Sequence, residues 1–300
     1  MSENKENAMQ NIQLRDGRSI PQVGFGTAAI GEMHQDDGYV KDTILKAIDA
    51  GYRHIDTASF YGNERSVGQA IAESRLQREQ FFITTKVWDT QQGYQSTFKA
   101  MDESLERLQM DYVDLYLVHW PYPEKTRPTW QAMEKLHAEG IAKSLGLSNF
   151  RKQDIQQLFE IAEIKPVYNQ IELHPYLTQK PLVEYCESKG IAVSCWSPLG
   201  SGSWSDVKAE DKPVAEKVIN DMAEKYEVST GQIILKWDIQ QGRIVIPKSE
   251  SEKHIAANLA LDGFTLTDDE LNAIDALNKD LCFGGDPDNA WQENLERPVP

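Results

Sequence analysis

Eight short runs rich in β-branched and aromatic residues recur along the chain: VGFGTAA, YRHIDTA, FFITTKVW, YVDLYLVHW, AKSLGLSN, PVYNQIEL, AVSCWSPL and RIVIPKS. Through the seventh, their centres lie roughly 25–30 residues apart, the length consumed by a strand, a return helix and two loops. Hairpins would need only a few residues between runs, so this spacing calls for parallel strands. VDLYLVHW is apolar almost throughout, as a strand is when a helix covers one side and the barrel interior the other. Between the runs, YVKDTILKAIDAGY and VGQAIAESRL place apolar residues at three- and four-residue steps, the pattern of outer helices. The expected fold is therefore α/β, a (β/α)8 TIM barrel, which commonly takes about 250 residues and fits within the 300 available.

Two additions are expected. IQLRDGRSIPQV reads as an N-terminal β-hairpin turning at Asp16-Gly17, a lid for the bottom of the barrel. The last interval between runs holds two helical patterns, PVAEKVINDMAEKYEV and STGQIILKWDIQQG, so extra helices are expected toward the C-terminal end. No linker or break in composition divides residues 1–300, which read as one domain with a Gly-, Pro- and Asp-rich tail from Leu281 onward. The rival reading starts from Gly24-Phe25-Gly26-Thr27-Ala28-Ala29, a GxGxxA dinucleotide fingerprint, but no helix opens directly after it and eight strands exceed its six-stranded sheet.

Lys and Arg total 31 against 47 Asp and Glu, a net charge of −16, which repels a phosphate backbone and argues against nucleic acid. An anionic ligand must then find local cations or a helix N-terminus. The cysteines, Cys186, Cys195 and Cys282, are odd in number and lack a CxxC spacing, so neither a disulfide framework nor a metal site is expected. MSENKENAMQN lacks the apolar centre of a signal peptide, and no apolar run reaches the roughly 18 residues of a membrane span. A cytoplasmic protein is expected, and with no evident apolar surface helix, a monomer.

Barrels of this kind carry their sites at the C-terminal ends of the strands. The second strand ends in Asp56, with Tyr61 five residues on; the third ends at Lys86, Val87 and Trp88; the fourth at His119 and Trp120. An ammonium beside a phenol lowers a pKa normally about 10, and a carboxylate beside that ammonium keeps it charged and oriented. Asp56, Lys86 and Tyr61 thus suit proton donation to a developing alkoxide, and a neutral His119 can hydrogen-bond a carbonyl oxygen. His54 shares a strand face with Asp56, but no ligand cluster accompanies it, so it reads as structural.

The segments GYRHIDTASFYGNERSVGQAI, LVHWP, GLSNF, YNQIELHP, WSPLG and IPKS, in this order and spacing, resemble the aldo-keto reductase family over nearly the whole chain, in its bacterial branch of 2,5-diketo-D-gluconate reductases. The resemblance implies that Asp56, Tyr61, Lys86 and His119 are a catalytic tetrad. It implies NADPH-dependent reduction of a small-molecule aldehyde or ketone, diketo or sugar-like, to an alcohol. It also implies that Ser148, Asn149 and Gln170 hold the nicotinamide carboxamide, that Trp196 stacks on the ring where the family usually has Tyr, and that Ser197, Leu199 and the loop with Ser201 follow the pyrophosphate.

Lys248 and Ser249 in IPKS, with His254 and Asn258 in the following helix, would meet the adenosine 2′-phosphate, so NADP(H) is expected. His254 stands where the family usually has Arg. Glu250 carries a charge that repels a 2′-phosphate and an acceptor that suits a 2′-hydroxyl, which also admits NAD(H). By matching position, Ala28, Trp88 and Trp120 would wall the substrate pocket, Ala28 replacing a bulky aromatic. A further reading that the resemblance leaves open is a regulatory subunit that binds nicotinamide without turnover.

Overall fold

The computed structural model describes residues 11–31, 37–200 and 208–300. Strands β1 (Asn11–Gln13) and β2 (Ser19–Pro21) pair antiparallel through the Asp16-Gly17 turn, where Gly17 takes φ 89°. Eight strands follow: β3 (Phe25–Gly26), β4 (His54–Asp56), β5 (Phe82–Val87), β6 (Val113–Val118), β7 (Ala142–Ser148), β8 (Tyr168–Glu172), β9 (Ala192–Trp196) and β10 (Ile244–Val245). Each pairs parallel with its sequence neighbour, and a parallel bridge between Val23 and Val245 joins the last strand to the first. The sheet is therefore a closed (β/α)8 barrel with an N-terminal hairpin, and the six-stranded alternative is excluded.

The first and last strands are only two residues long, shorter than the runs VGFGTAA and RIVIPKS suggest. Pro247 has no N–H to extend the ladder. Close approach is the second reason: a side chain at Gly26 would strike the Ile246 carbonyl, and one at Gly24 the His54 ring.

The helices stand outside the sheet. They are α1 (Asp37–Ala50), α2 (Glu64–Glu73), α3 (Tyr94–Leu108), α4 (Thr126–Ala138), α5 (Lys152–Ile161) and α6 (Lys180–Ser188). The long last interval supplies α7 (Lys217–Tyr226) and α8 (Thr230–Gln240), and α9 (Glu252–Leu259), α10 (Asp268–Asp275) and α11 (Ala290–Asn294) complete the chain. Helix α8 starts at a capping box in which Ser229 and Gln232 satisfy each other's backbone N–H groups. The main core lies between strands and helices, around Ile44, Tyr52, Met101, Trp130 and Trp237. A second cluster fills the barrel's lower end, where Leu14 and Ile20 of the hairpin meet Phe82, Leu117, Tyr168 and Ile244, so the lid buries apolar surface that would otherwise face water.

His54 lies inside the barrel, fully buried, with Nε2 3.3 Å from Thr84 Oγ1 and its ring edge-on to Phe82. Burial lowers its pKa to about 4. The unfolded chain takes up this proton near pH 6.5, so the group's contribution to stability is present above that pH and is lost as pH falls toward about 4. Between about pH 7 and pH 5 this amounts to about 2 kcal/mol. Urea midpoints at both pH values should therefore differ less in His54→Gln than in the wild type; equal differences would show that His54 carries no such linkage.

The tail crosses the open end of the barrel and is held there by two buried carboxylates. Glu172, at the end of β8, accepts the N–H groups of Phe283 (2.7 Å) and Gly284 (3.0 Å), the Cys282 thiol (2.8 Å) and His174 Nε2 (3.0 Å). Asp89, just past β5, accepts Asn294 Nδ2 at 2.6 Å, while Trp88 Nε1 donates to the Arg297 carbonyl at 2.7 Å.

Candidate active site

The polar ends of β4, β5 and β6 meet at one rim of the barrel. After Asp56 the chain makes a single 3-10 turn, Ser59–Tyr61, closed by Gly62 at φ 67°. Ser59 Oγ has the Lys86 carbonyl (3.1 Å) and Gln91 Oε1 (2.9 Å) as acceptors within reach of its one proton, which ties this turn to β5. Asn63, clamped by the Thr57 hydroxyl and the Thr27 carbonyl, fixes the exit into α2. The turn brings Tyr61 back over the strand ends.

Lys86 points inward from β5 and is fully buried. Its Nζ donates to Asp56 Oδ1 (2.6 Å), the Thr57 carbonyl (2.8 Å) and the Tyr61 hydroxyl oxygen (3.2 Å), so all three ammonium protons have acceptors. With Lys86 donating to it, the Tyr61 hydroxyl keeps its own proton for another partner. Asp56 Oδ2 accepts Gln170 Nε2 at 2.7 Å, so both carboxylate oxygens are engaged.

Burial opposes the Lys86 ammonium, but Asp56 and Tyr61 outweigh it and its pKa stands above the ordinary value. The sequence-based expectation of an acidified phenol is corrected: burial raises the Tyr61 pKa, and the Lys86 charge opposes that rise without reversing it. Tyr61 is thus a protonated phenol, with the Lys86 ammonium 3.2 Å from its oxygen. His119 follows β6, its ring edge-on to Tyr61 (centroids 5.7 Å) and to Trp88 (4.9 Å). Burial, seconded by the Lys86 charge, drives its pKa well below the usual value, so it is a neutral imidazole, with Nδ1 buried and unpartnered among the described residues.

A cleft of about 890 Å³ opens above these groups. Asp56, Tyr61 and His119 form its floor, with Lys86 directly behind, and Ala28, Trp88 and Trp120 are among its walls. Ser148, Asn149, Gln170, Trp196, Ser197, Leu199 and Lys248 line its extension. Asn149, at φ 63°, donates from Nδ2 to the His119 carbonyl (3.0 Å) and the Ser148 hydroxyl (3.1 Å), and its Oδ1 accepts Trp196 Nε1 (2.8 Å). Ser197, at φ 48°, has a buried Oγ without a partner among the described residues. Ser249, His254 and Asn258 do not line the cleft: Ser249 Oγ accepts the Ser251 N–H (3.1 Å), and on α9 His254 is exposed while Asn258 is buried. Ser201 lies outside the described residues.

Some of the walls were missed by the sequence reading. Phe60 stacks flat on Trp88 (3.8 Å, 12°), and Arg297 lies 4.8 Å from the Phe60 ring. Phe283, Gly284, Ala290, Asn294 and Arg297 reach the cleft from the tail. Phe60 was readable as the residue before Tyr61 in ASFYGN; the tail residues had no periodicity to place them. Among the described residues, no group of three His, Cys, Asp or Glu side chains is arranged to hold a metal ion, and no helix is long and apolar enough to cross a membrane.

The sequence pattern of the Aldo/keto reductase family matches residues 22–279. Glyoxal reductase of Bacillus subtilis is 43% identical over 277 residues, spanning 92% of this chain and 96% of that protein. A 9,11-endoperoxide prostaglandin H2 reductase of Trypanosoma cruzi is 42% identical over 278 residues, spanning 93% and 95%. Among solved structures, an aldo/keto reductase from Brucella melitensis superposes with a TM-score of 0.83 at 43% identity, covering 90% of this chain and 98% of that one. A Bombyx mori aldo-keto reductase, solved in complex with NADP, gives 0.84 at 38% identity, covering 94% and 96%. The chain belongs to the aldo/keto reductase family, oxidoreductases acting on carbonyl groups.

Proposed function

We propose that the protein reduces an aldehyde or ketone to an alcohol with NADPH, and that Tyr61 is the general acid. The observation that carries this reading is the Lys86 Nζ, buried and 3.2 Å from the Tyr61 hydroxyl while paired with Asp56 at 2.6 Å. When bound, NADPH supplies the hydride that carbonyl reduction requires. Tyr61 passes its proton to the carbonyl oxygen as negative charge develops there, and the Lys86 ammonium stabilises the phenolate left behind. Neutral His119 orients the carbonyl by a hydrogen bond, and Asp56 keeps Lys86 charged.

The cleft suits a dinucleotide: it runs from Lys248 to the Tyr61 floor, and the unpartnered Ser197 Oγ offers a hydroxyl beside it. In this reading Ser148, Asn149 and Gln170 face the carboxamide, Trp196 stacks on the nicotinamide, Ser197 and Leu199 follow the pyrophosphate, and Lys248 marks the adenosine end, with Ser249, His254 and Asn258 beyond the cleft as the residues an adenosine 2′-phosphate would reach outside it. The Bombyx mori relative with NADP supports this choice.

For the substrate we propose a carboxylate-bearing carbonyl compound, of the diketo sugar-acid kind. Of the two cations that line the cleft, Lys248 is paired with Glu250, whereas Arg297 has no carboxylate within ion-pair distance among the described residues. Its guanidinium lies over Phe60, next to Trp88, where it would meet the far end of a bound substrate. The test is NADPH oxidation with matched aldehydes that carry or lack a carboxylate. Arg297→Leu should raise KM about 10-fold for the carboxylated compounds alone. Equal effects on both sets would refute the anionic substrate, and cofactor binding without any turnover would favour a regulatory subunit.

We also take the chain to be one domain and a monomer in the cytoplasm. Among the described residues, the large apolar side chains left exposed are Tyr94, Ile161, Leu281 and Leu295, which is little for a subunit interface.

A further inference from the structure

Lys248 is the cation at the adenosine end of the cleft, and it is already occupied. Its Nζ lies 2.5 Å from Glu250 Oε1. The same carboxylate is hydrogen-bonded by the Tyr39 hydroxyl and by the backbone N–H of Gly31. These three donors come from separate segments of the chain. Lys248 and Glu250 follow β10, whereas Gly31 comes just after Ala28, Ala29 and Ile30, which follow the neighbouring strand β3 and also line the cleft, and Tyr39 stands in the first turn of α1.

An ammonium, a hydroxyl and a backbone N–H converging on one point form a donor set for an anion. In this chain a carboxylate of the protein itself fills the place. Burial works against the charge on Glu250, yet Lys248, Tyr39 and Gly31 together hold its carboxyl below the usual range, so it stays an anion at neutral pH. A bound phosphate near Lys248 would have to expel this carboxylate or lie against it, and like charges at such range repel. A hydroxyl in the same place would not, and could donate a hydrogen bond to Glu250.

We propose that Glu250 is a specificity-determining residue: it substitutes for an anionic group on the cofactor's adenosine ribose, clasps the segment after β10 to Gly31 and Tyr39, and thereby lowers the preference for NADPH over NADH. The inference rests on the dinucleotide reading of the cleft given above. It makes Glu250, and not only the cations, the residue that sets cofactor choice.

The experiment is a titration of the full-length protein with NADPH and with NADH, following the quenching of tryptophan fluorescence, in the wild type, Glu250→Gln and Tyr39→Phe. Glu250→Gln removes the charge while keeping the shape, so the Kd for NADPH should fall about 10-fold, the scale of one hydrogen bond to a charged group. The Kd for NADH should stay the same or rise. Tyr39→Phe loosens the clasp without touching Lys248 and should shift the ratio the same way by a smaller factor, which keeps the proposal testable if Glu250→Gln fails to fold. An unchanged ratio in both variants, with both nucleotides bound, would overturn the role of Glu250 and leave the dinucleotide site standing. Weaker NADPH binding in Glu250→Gln would also overturn it, because Glu250 would then serve to position Lys248. Failure of the wild type to bind either nucleotide would remove the dinucleotide reading and this inference together.

Discussion

Tyr61→Phe is expected to lower kcat at least about 100-fold, the usual scale for loss of a general acid, while leaving nucleotide affinity unchanged. The substitution deletes one oxygen. Its ring still packs edge-on against His119, and Lys86 keeps two of its three acceptors, Asp56 Oδ1 and the Thr57 carbonyl. Structure and binding should therefore survive while proton transfer does not. Steady-state kinetics with a good carbonyl substrate, alongside fluorescence titration with NADPH, separate the two. A variant that keeps more than about a tenth of the wild-type kcat would exclude Tyr61 as the acid. His119 would then be the next donor to test, although burial holds it neutral.

The second large effect is on stability as well as turnover. Lys86→Met should destabilise the protein by about 3–5 kcal/mol, the range found when one partner of a buried ion pair is removed. Asp56 would keep only Gln170 Nε2, and the Thr57 carbonyl would lose its donor, both beneath a side chain with no exposed surface. The double variant Asp56→Asn/Lys86→Met removes the stranded charge and should recover part of the loss, but none of the activity. Urea denaturation reads the first effect and NADPH oxidation the second. If Lys86→Met unfolds at the wild-type midpoint, the pair is solvated and cannot hold the electrostatic role assigned to it.

The strand ends are legible in the sequence because a parallel barrel leaves a strong trace: apolar runs at near-constant spacing, with polar residues where each strand stops. Asp56, Lys86 and His119 each stand at the end of such a strand, so their convergence follows from the closure of the sheet. Tyr61 came from its place five residues past Asp56, and the 3-10 turn pinned by Ser59 explains why that distance returns it to the rim. The direction of the Tyr61 pKa shift was not legible. It depends on how much burial opposes the Lys86 charge, and burial is a property of the packed barrel rather than of the order of residues.

The tail and the cation site behave differently. From Leu281 onward there is no helical or strand period to read, and the tail's course is decided by Glu172 and Asp89, which belong to distant strands. The pairing of Lys248 with Glu250 is local in sequence, yet its significance comes from Tyr39 and Gly31, more than 200 residues earlier. Sequence by itself determined the barrel, its hairpin lid and the positions of the reactive groups, because periodicity and strand-end chemistry are short-range. Only the tertiary structure decided which charges are neutralised, which phenol keeps its proton and what roofs the cleft. Those depend on desolvation and on contacts between segments far apart in the chain.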